Sequence, residues 1–311
     1  MVSTKQAKKK HWRPRIAYGI MATIVAVVLF NLVADWLVTR YDAKANRDHK
    51  SGILAGASPR ILGTKSSERA VLFVHGFIGD QSNFNVLPDA VANAGWYVET
   101  LRLPGHGTSP REFERTTADE LIAGVREAVL ALKEDHETVV VVGHSMGGAL
   151  STLVAGEVPV DGLVLCAPYF GLTYNHLLGV DTDWLAHRLA TIVRWLPGRP
   201  NHGPVAKPEG RAHVQCYGWI PMKGVLTALT LCEQANDATL LTQITAPVLA
   251  IHSTGDSVTS YDATQAALEK MTGASTEMHL LEKSDHVIFW DYDEEEVTEA
   301  VLGFLEEVAP S

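Results

Sequence analysis

Residues 143–148 read Gly-His-Ser-Met-Gly-Gly and follow directly on the apolar run 138–142, Thr-Val-Val-Val-Val. A strand that ends in glycine, turns at one serine and enters a helix-forming stretch (149–157) admits few folds. Gly143 and Gly147 flank Ser145 at i−2 and i+2, where the missing Cβ atoms let the backbone bend sharply and let strand and helix approach closely. Such a turn holds the Ser145 hydroxyl out of the packed interior. The bland alternative is a glycine-rich connection whose serine caps the next helix, since serine is a favoured N-cap residue.

Two further segments weigh against that alternative. A serine nucleophile needs a base to take its proton, and the base needs a group that fixes its tautomer and balances its charge. Residues 247–252 form a strand-like run ending in Ser253-Thr254-Gly255-Asp256, and residues 276–281 form another, followed by Glu282-Lys283-Ser284-Asp285-His286. Asp256 and His286 thus fall just past the carboxyl ends of strands, the edge of an open parallel sheet where ligand sites lie. Asp285 competes with Asp256 for the acid role. It adjoins His286 in the chain, and neighbouring side chains of an extended loop point apart, so Asp256 is preferred.

The order Ser145, Asp256, His286 is that of the nucleophile-elbow enzymes, and the chain resembles the α/β-hydrolase superfamily over roughly residues 70–308. Within it, the look-alikes are small-cap carboxylesterases and monoacylglycerol lipases. The shared landmarks are His75-Gly76-Phe77-Ile78-Gly79, Arg102-Leu103-Pro104-Gly105-His106-Gly107, the elbow itself, and His286-Val287-Ile288. The resemblance implies a mostly parallel sheet flanked by helices, a small helical cap insertion and a serine carboxylesterase. Its substrates would be short to medium acyl esters or monoacylglycerols. Peptide hydrolysis, cofactor-free haloperoxidation, carbon–carbon cleavage and non-catalytic binding remain open alternatives, because the triad fixes the nucleophile and not the substrate.

Acyl transfer also needs donors for the oxygen that becomes negative, and backbone N–H groups serve regardless of side chain. Met146, after the nucleophile, supplies one by position; by resemblance, Phe77 supplies the other. His75, His106 and His144 sit inside glycine-rich turns and are read as braces for loop backbone. No histidine pair has the spacing of zinc ligands on one helical face, and the chemistry calls for no cofactor.

Strand-like runs at 70–75, 96–101, 138–143, 162–166, 247–252 and 276–281 alternate with helical stretches at 83–94, 118–135, 146–157, 261–271 and 294–308. Continuous apolar strands between amphipathic helices signify a parallel sheet covered on both faces. The reading places the hydrolase core at 70–168 and 246–311. Residues 169–245 lack strand signals, contain Pro197, Pro200, Pro204, Pro208 and Pro221, and are expected to form the cap. Tyr169, Phe170, Leu172, Leu177, Leu178, Trp184, Trp195 and Trp219 there, with Phe289 and Trp290, either line an acyl pocket or hold the insertion together.

Before the core, residues 16–34 carry no charge and are long enough, at about 1.5 Å per residue, to cross a bilayer core. Tyr18 and Trp36 lie near the two ends as interfacial anchors. The preceding Lys5, Lys8, Lys9, Lys10, Arg13 and Arg15 have no acidic counterpart, whereas Arg40, Lys44, Arg47 and Lys50 are offset by Asp42 and Asp48. The positive-inside tendency gives a basic cytoplasmic segment 1–15, a transmembrane anchor 16–38, a polar linker 39–69 and a catalytic domain on the far side. A cleaved leader is the rival. The apolar stretch exceeds a usual h-region, and the nearest small-x-small site, Ala43-Lys44-Ala45, lies well past it.

Subtracting the ten basic and three acidic residues of 1–50 from chain totals of 26 and 36 leaves 16 against 33 in the remainder, a formal −17. Such a domain repels polyanions, so nucleic acid is a poor partner and neutral esters or glycerides are favoured. The three cysteines, Cys166, Cys216 and Cys232, make neither a metal pattern nor an even disulfide set and read as buried thiols.

Overall fold

A computed structural model describes residues 12–177, 179–200 and 203–310, with side chains from Ile16 onward. Lys5, Lys8, Lys9 and Lys10, the side chains of Arg13 and Arg15, and Leu178 lie outside the described residues. Helix α1 (Trp12–Ala43) precedes strand β1 (Arg60–Leu62), β2 (Arg69–Val74), helix α2 (Leu87–Asn93), β3 (Tyr97–Leu101), α3 (Pro110–Arg115) and α4 (Ala118–Asp135). The elbow region is β4 (Thr138–His144) and α5 (Met146–Ala155), followed by β5 (Gly162–Cys166). Two short antiparallel pairs come next, β6 (His176–Leu177) with β7 (Val180–Asp181), and β8 (Trp195–Pro197) with β9 (Trp219–Pro221). Helix α6 (Thr182–Ala190) follows β7 and precedes β8, and α7 (Met222–Ala235) and α8 (Ala238–Gln243) follow β9. The chain finishes with β10 (Val248–Ser253), α9 (Tyr261–Leu268), β11 (Thr276–Leu281) and α10 (Glu294–Val308).

The main sheet runs β1-β3-β2-β4-β5-β10-β11, parallel throughout except where β1 pairs antiparallel with β3. Strand alternation divides the core in two. Ala70, Leu72 and Val74 of β2 face α4 and α5 through Leu121, Val125, Met146 and Leu150. Val71 and Phe73 face α2 and α10 through Leu87, Val91, Val301 and Phe304. With both faces covered, the central strands are apolar at successive positions rather than alternately polar. Helix α4 starts at a reciprocal cap: Thr117 Oγ1 accepts from Glu120 N–H at 3.2 Å while Glu120 Oε2 accepts from Thr117 N–H at 2.8 Å.

All six strands read from the sequence occur in this sheet, at bounds within a residue or two. Three expectations differ. The helix expected at 83–94 is a 3-10 turn (Gln81–Phe84) and α2, separated at Asn85, whose φ of 51° no α-helix accommodates. Residues 169–245 contain two short antiparallel strand pairs besides helices. Residues 39–69 are not a free tether. Helix α1 runs on to Ala43, Leu54 N–H donates to Gly107 O at 2.8 Å, Ala57 is fully buried, and β1 forms the sheet edge.

Candidate active site

Strand β4 delivers Ser145 into a backbone conformation of φ 55°, ψ −121° before α5 begins. Positive φ is strained for any residue with a Cβ, and the neighbouring glycines make it attainable. A Cβ on Gly147 would stand 2.0 Å from Val74 O, and one on Gly143 would stand 2.5 Å from Ser151 Oγ. Ser145 makes no side-chain cap to α5. Its Oγ lies 2.9 Å from His286 Nε2, which removes the capping alternative.

His286 Nδ1 lies 2.9 Å from Asp256 Oδ2, so hydroxyl, imidazole and carboxylate form one continuous chain. The three residues come from the loops after β4, β10 and β11, at the carboxyl edge of the sheet. Asp256 is fixed by Val258 N–H (2.7 Å) and Thr259 N–H (2.8 Å) on Oδ1 and by the Thr259 hydroxyl (2.9 Å) on Oδ2. Burial alone raises its pKa; the neighbouring His286, and hydrogen bonds from His252 and His286, outweigh burial and hold the carboxyl far below the usual range. Asp285 is turned elsewhere, its Oδ1 accepting from Ser257 N–H and His286 N–H at 2.8 Å each.

The His75-Gly76-Phe77 loop passes tightly over the elbow: a Cβ on Gly76 would lie 3.0 Å from Ser145 Cβ. Phe77 therefore borders Ser145, and its ring packs edge-on against Phe113. Met146 N–H belongs to the first turn of α5, where helix amides lack intrahelical partners. The loop histidines bind backbone. His75 accepts from Leu103 N–H at Nε2 (3.2 Å) and donates from Nδ1 to Gly76 O (3.0 Å). His106 donates to Pro104 O, and His144 donates to the carbonyl of His286 at 3.1 Å. Burial lowers the pKa of His75 to about 3, His106 to about 4 and His144 to about 3, so all three are neutral at physiological pH.

Above Ser145 and His286 opens a cavity of about 640 Å³, its mostly apolar wall including Phe77, Ile78, Val205 and Tyr217, with Arg199 and Arg211 also lining it. The aromatics singled out from the sequence lie elsewhere. Trp195 is fully buried against α1 with Trp219, Trp184 is half exposed, and Tyr169, Phe170 and Phe289 belong to the two cores. Trp290 stacks on His213 at 4.5 Å. The cysteines are not joined to one another, and Cys216 Sγ lies 3.2 Å from Arg199 O. Among the described residues no group of His, Cys, Asp and Glu is arranged around a metal position.

Sequence reasoning passed over His252. It is fully buried on β10, its Nε2 lying 3.3 Å from Asp256 Oδ2 and 3.1 Å from Thr259 O, with Thr264 Oγ1 at 3.0 Å from Nδ1. Its only sequence signal is a histidine inside an otherwise apolar strand four residues before the acid.

The profile of the Hydrolase_4 family, described as serine aminopeptidase S33, matches residues 65–293. The chain belongs to this family. It is a hydrolase of the esterase and lipase kind with the α/β-hydrolase fold. A thermostable monoacylglycerol lipase of Bacillus sp. (strain H-257) is 29% identical over 261 residues, covering 81% of this chain and 96% of that protein. A carboxylesterase of Bacillus subtilis (strain 168) is 30% identical over 113 residues, 36% of this chain and 46% of that one. Among solved structures, one from work on the metagenome-derived lipolytic enzymes LipS and LipT superposes with a TM-score of 0.72 at 28% identity, covering 82% of this chain and 99% of that chain. The Paleococcus ferrophilus monoacylglycerol lipase shares the fold, with a TM-score of 0.69 at 23% identity, and covers 82% and 99%. In this hydrolase the family match begins after α1, so the apolar helix stands outside it.

Proposed function

We propose that this hydrolase is a membrane-anchored serine carboxylesterase that cleaves short to medium acyl esters or monoacylglycerols through an acyl-enzyme on Ser145. The observation that carries the reading is the pair of 2.9 Å contacts joining Ser145 Oγ, His286 and Asp256 at the floor of an apolar cavity. His286 Nε2 takes the Ser145 proton as Oγ attacks the ester carbonyl, and Asp256 holds the imidazole and balances its charge. The N–H groups of Phe77 and Met146 receive the oxyanion. His286 then protonates the departing alcohol and activates the water that frees the acid from Ser145.

The cavity wall favours hydrocarbon, each buried methylene contributing about 0.8 kcal/mol. Residues 169–245 act as the cap over it. Anchoring is supported by α1, which is long and apolar enough to cross a membrane from Ile16 onward and exposes Ile20, Met21, Ile24 and Val28. The basic 1–15 segment then sets the N-terminus in the cytoplasm and the catalytic domain outside. Labelling of Ser145 by an impermeant probe on intact cells tests the orientation; labelling only after lysis reverses it.

The family description favours a second reading, cleavage of aminoacyl amides. Hydrolysis of p-nitrophenyl esters of graded acyl length, a monoacylglycerol and an aminoacyl amide by the full-length enzyme distinguishes them. The ester reading expects an optimum along the acyl series and little amide turnover; preferential amide cleavage overturns it.

A further inference from the structure

Helix α1 does more than lead into the fold. Asn31, Ala34, Asp35, Val38 and Tyr41 recur at helical spacing on one face, and that face is docked on the β8–β9 pair. Asn31 donates to Ile192 O at 2.7 Å and accepts from Arg194 N–H at 2.9 Å. Asp35 Oδ1 receives Arg194 Nη1 (2.9 Å), Arg111 Nη1 (3.0 Å) and the indole N–H of Trp195 (3.2 Å). Ala34 and Val38 bury Trp195 together with Trp219. The Tyr41 hydroxyl accepts from Gly218 N–H at 3.0 Å. The opposite face of the same turns, Leu32, Val33 and Trp36, is exposed.

These contacts grip the two ends of one pocket-forming segment. Arg194 and Trp195 enter it and Gly218 leaves it; between them Gly198, Pro204, Val205, Val214 and Tyr217 line the cavity above Ser145. Tyr217 N–H also donates to Ile78 O at 3.2 Å, tying the segment to a wall residue of the His75-Gly76-Phe77 loop region. We propose that the last three turns of α1 are a positioning element of the active site, in which Asn31, Asp35 and Tyr41 hold the β8–β9 segment so that the acyl cavity keeps its shape. The docked turns of α1 and the pocket are then one mechanical unit, and the structure departs from the 16–38 span expected of the anchor, because the face from Asn31 to Val38 packs on protein. This inference rests on the acyl-ester reading of the cavity.

The test uses full-length enzyme in detergent micelles, with active sites counted by fluorophosphonate titration so that misfolded material drops out. Asp35→Ala and the milder Tyr41→Phe are compared with Leu32→Ala on the exposed face. The expected result for Asp35→Ala is a KM raised about tenfold or more for the longest ester the wild type accepts, the scale of one lost hydrogen bond to a charged group. Turnover of the acetate ester per active site changes little. Hydrogen exchange over residues 214–221 accelerates in Asp35→Ala, and to a lesser degree in Tyr41→Phe, but not in Leu32→Ala. Asp35→Ala behaving as Leu32→Ala in both acyl profile and exchange overturns the proposal. Should the wild type cleave no ester, the ester reading falls, while the exchange comparison still decides whether α1 holds the segment.

Discussion

Asp256 and His252 face each other at 3.3 Å inside the fold, on the same carboxylate oxygen that meets His286. Asp256 Oδ2 therefore meets two imidazoles, His286, which also contacts Ser145, and His252 of β10, with the Thr259 hydroxyl as a third neighbour. Two acceptors, Asp256 Oδ2 and Thr259 O, surround His252 Nε2, so that nitrogen carries the proton and Nδ1 accepts from Thr264.

His252→Leu removes this donor while keeping an apolar side chain on β10. A hydrogen bond to a charged group is worth about 1.5–3 kcal/mol, so turnover per titrated active site is expected to fall about tenfold or more. His252→Gln returns an N–H near the Nε2 position and restores most of the activity. Equal kcat in wild type and His252→Leu contradicts the role.

Gly147→Ala forces a Cβ to within 2.0 Å of Val74 O and 2.5 Å of His75 O, backbone atoms of the central strand and its loop. The expectation is loss of both the cooperative thermal transition and fluorophosphonate labelling. Gly303 on α10 has open space around it, so Gly303→Ala gains about 0.5–1 kcal/mol of stability. A soluble, labelled Gly147→Ala protein of ordinary Tm contradicts the elbow argument.

Acid sensitivity follows from the buried histidines. Their folded-state pKa values, about 3, 4 and 3 for His75, His106 and His144, lie below the unfolded value of about 6.5. The unfolded chain thus takes up protons that the native state refuses. The stability they confer is whole above pH 6.5 and is lost as pH falls toward 4, by about 1.4 kcal/mol per pH unit for each ring. Urea midpoints at pH 7.5 and 5.0 check this; a midpoint unchanged or higher at pH 5.0 opposes it.

The sheet and the meeting of Ser145, His286 and Asp256 were legible in the sequence because both rest on local signals. Buried parallel strands leave uninterrupted apolar runs, and Ser145, Asp256 and His286 each sit one short loop, or less, beyond such a run. What escaped depends on contacts between distant segments. Asp291 is fully buried and accepts from the amides of Ala206, Lys207 and Asp285, pinning residues 206–207 to the His286 loop, yet nothing around it in the chain marks it. Strand β1 has three residues and gains its identity only by pairing with β3. The tryptophans of 169–245 were attractive as pocket walls by composition, but Trp195 is claimed by α1, and the walls fall to Val205, Tyr217 and other residues with no periodic signature.

The central claim is that Ser145 carries the acyl group. Full-length enzyme is reacted with a fluorophosphonate, and separately acid-quenched during turnover of a p-nitrophenyl ester, and each sample is digested for peptide mass mapping. The account predicts one adduct per chain on Ser145 with either reagent, and neither adduct nor ester turnover in a folded Ser145→Ala variant. An adduct on another residue, or ester hydrolysis that persists in Ser145→Ala, contradicts it.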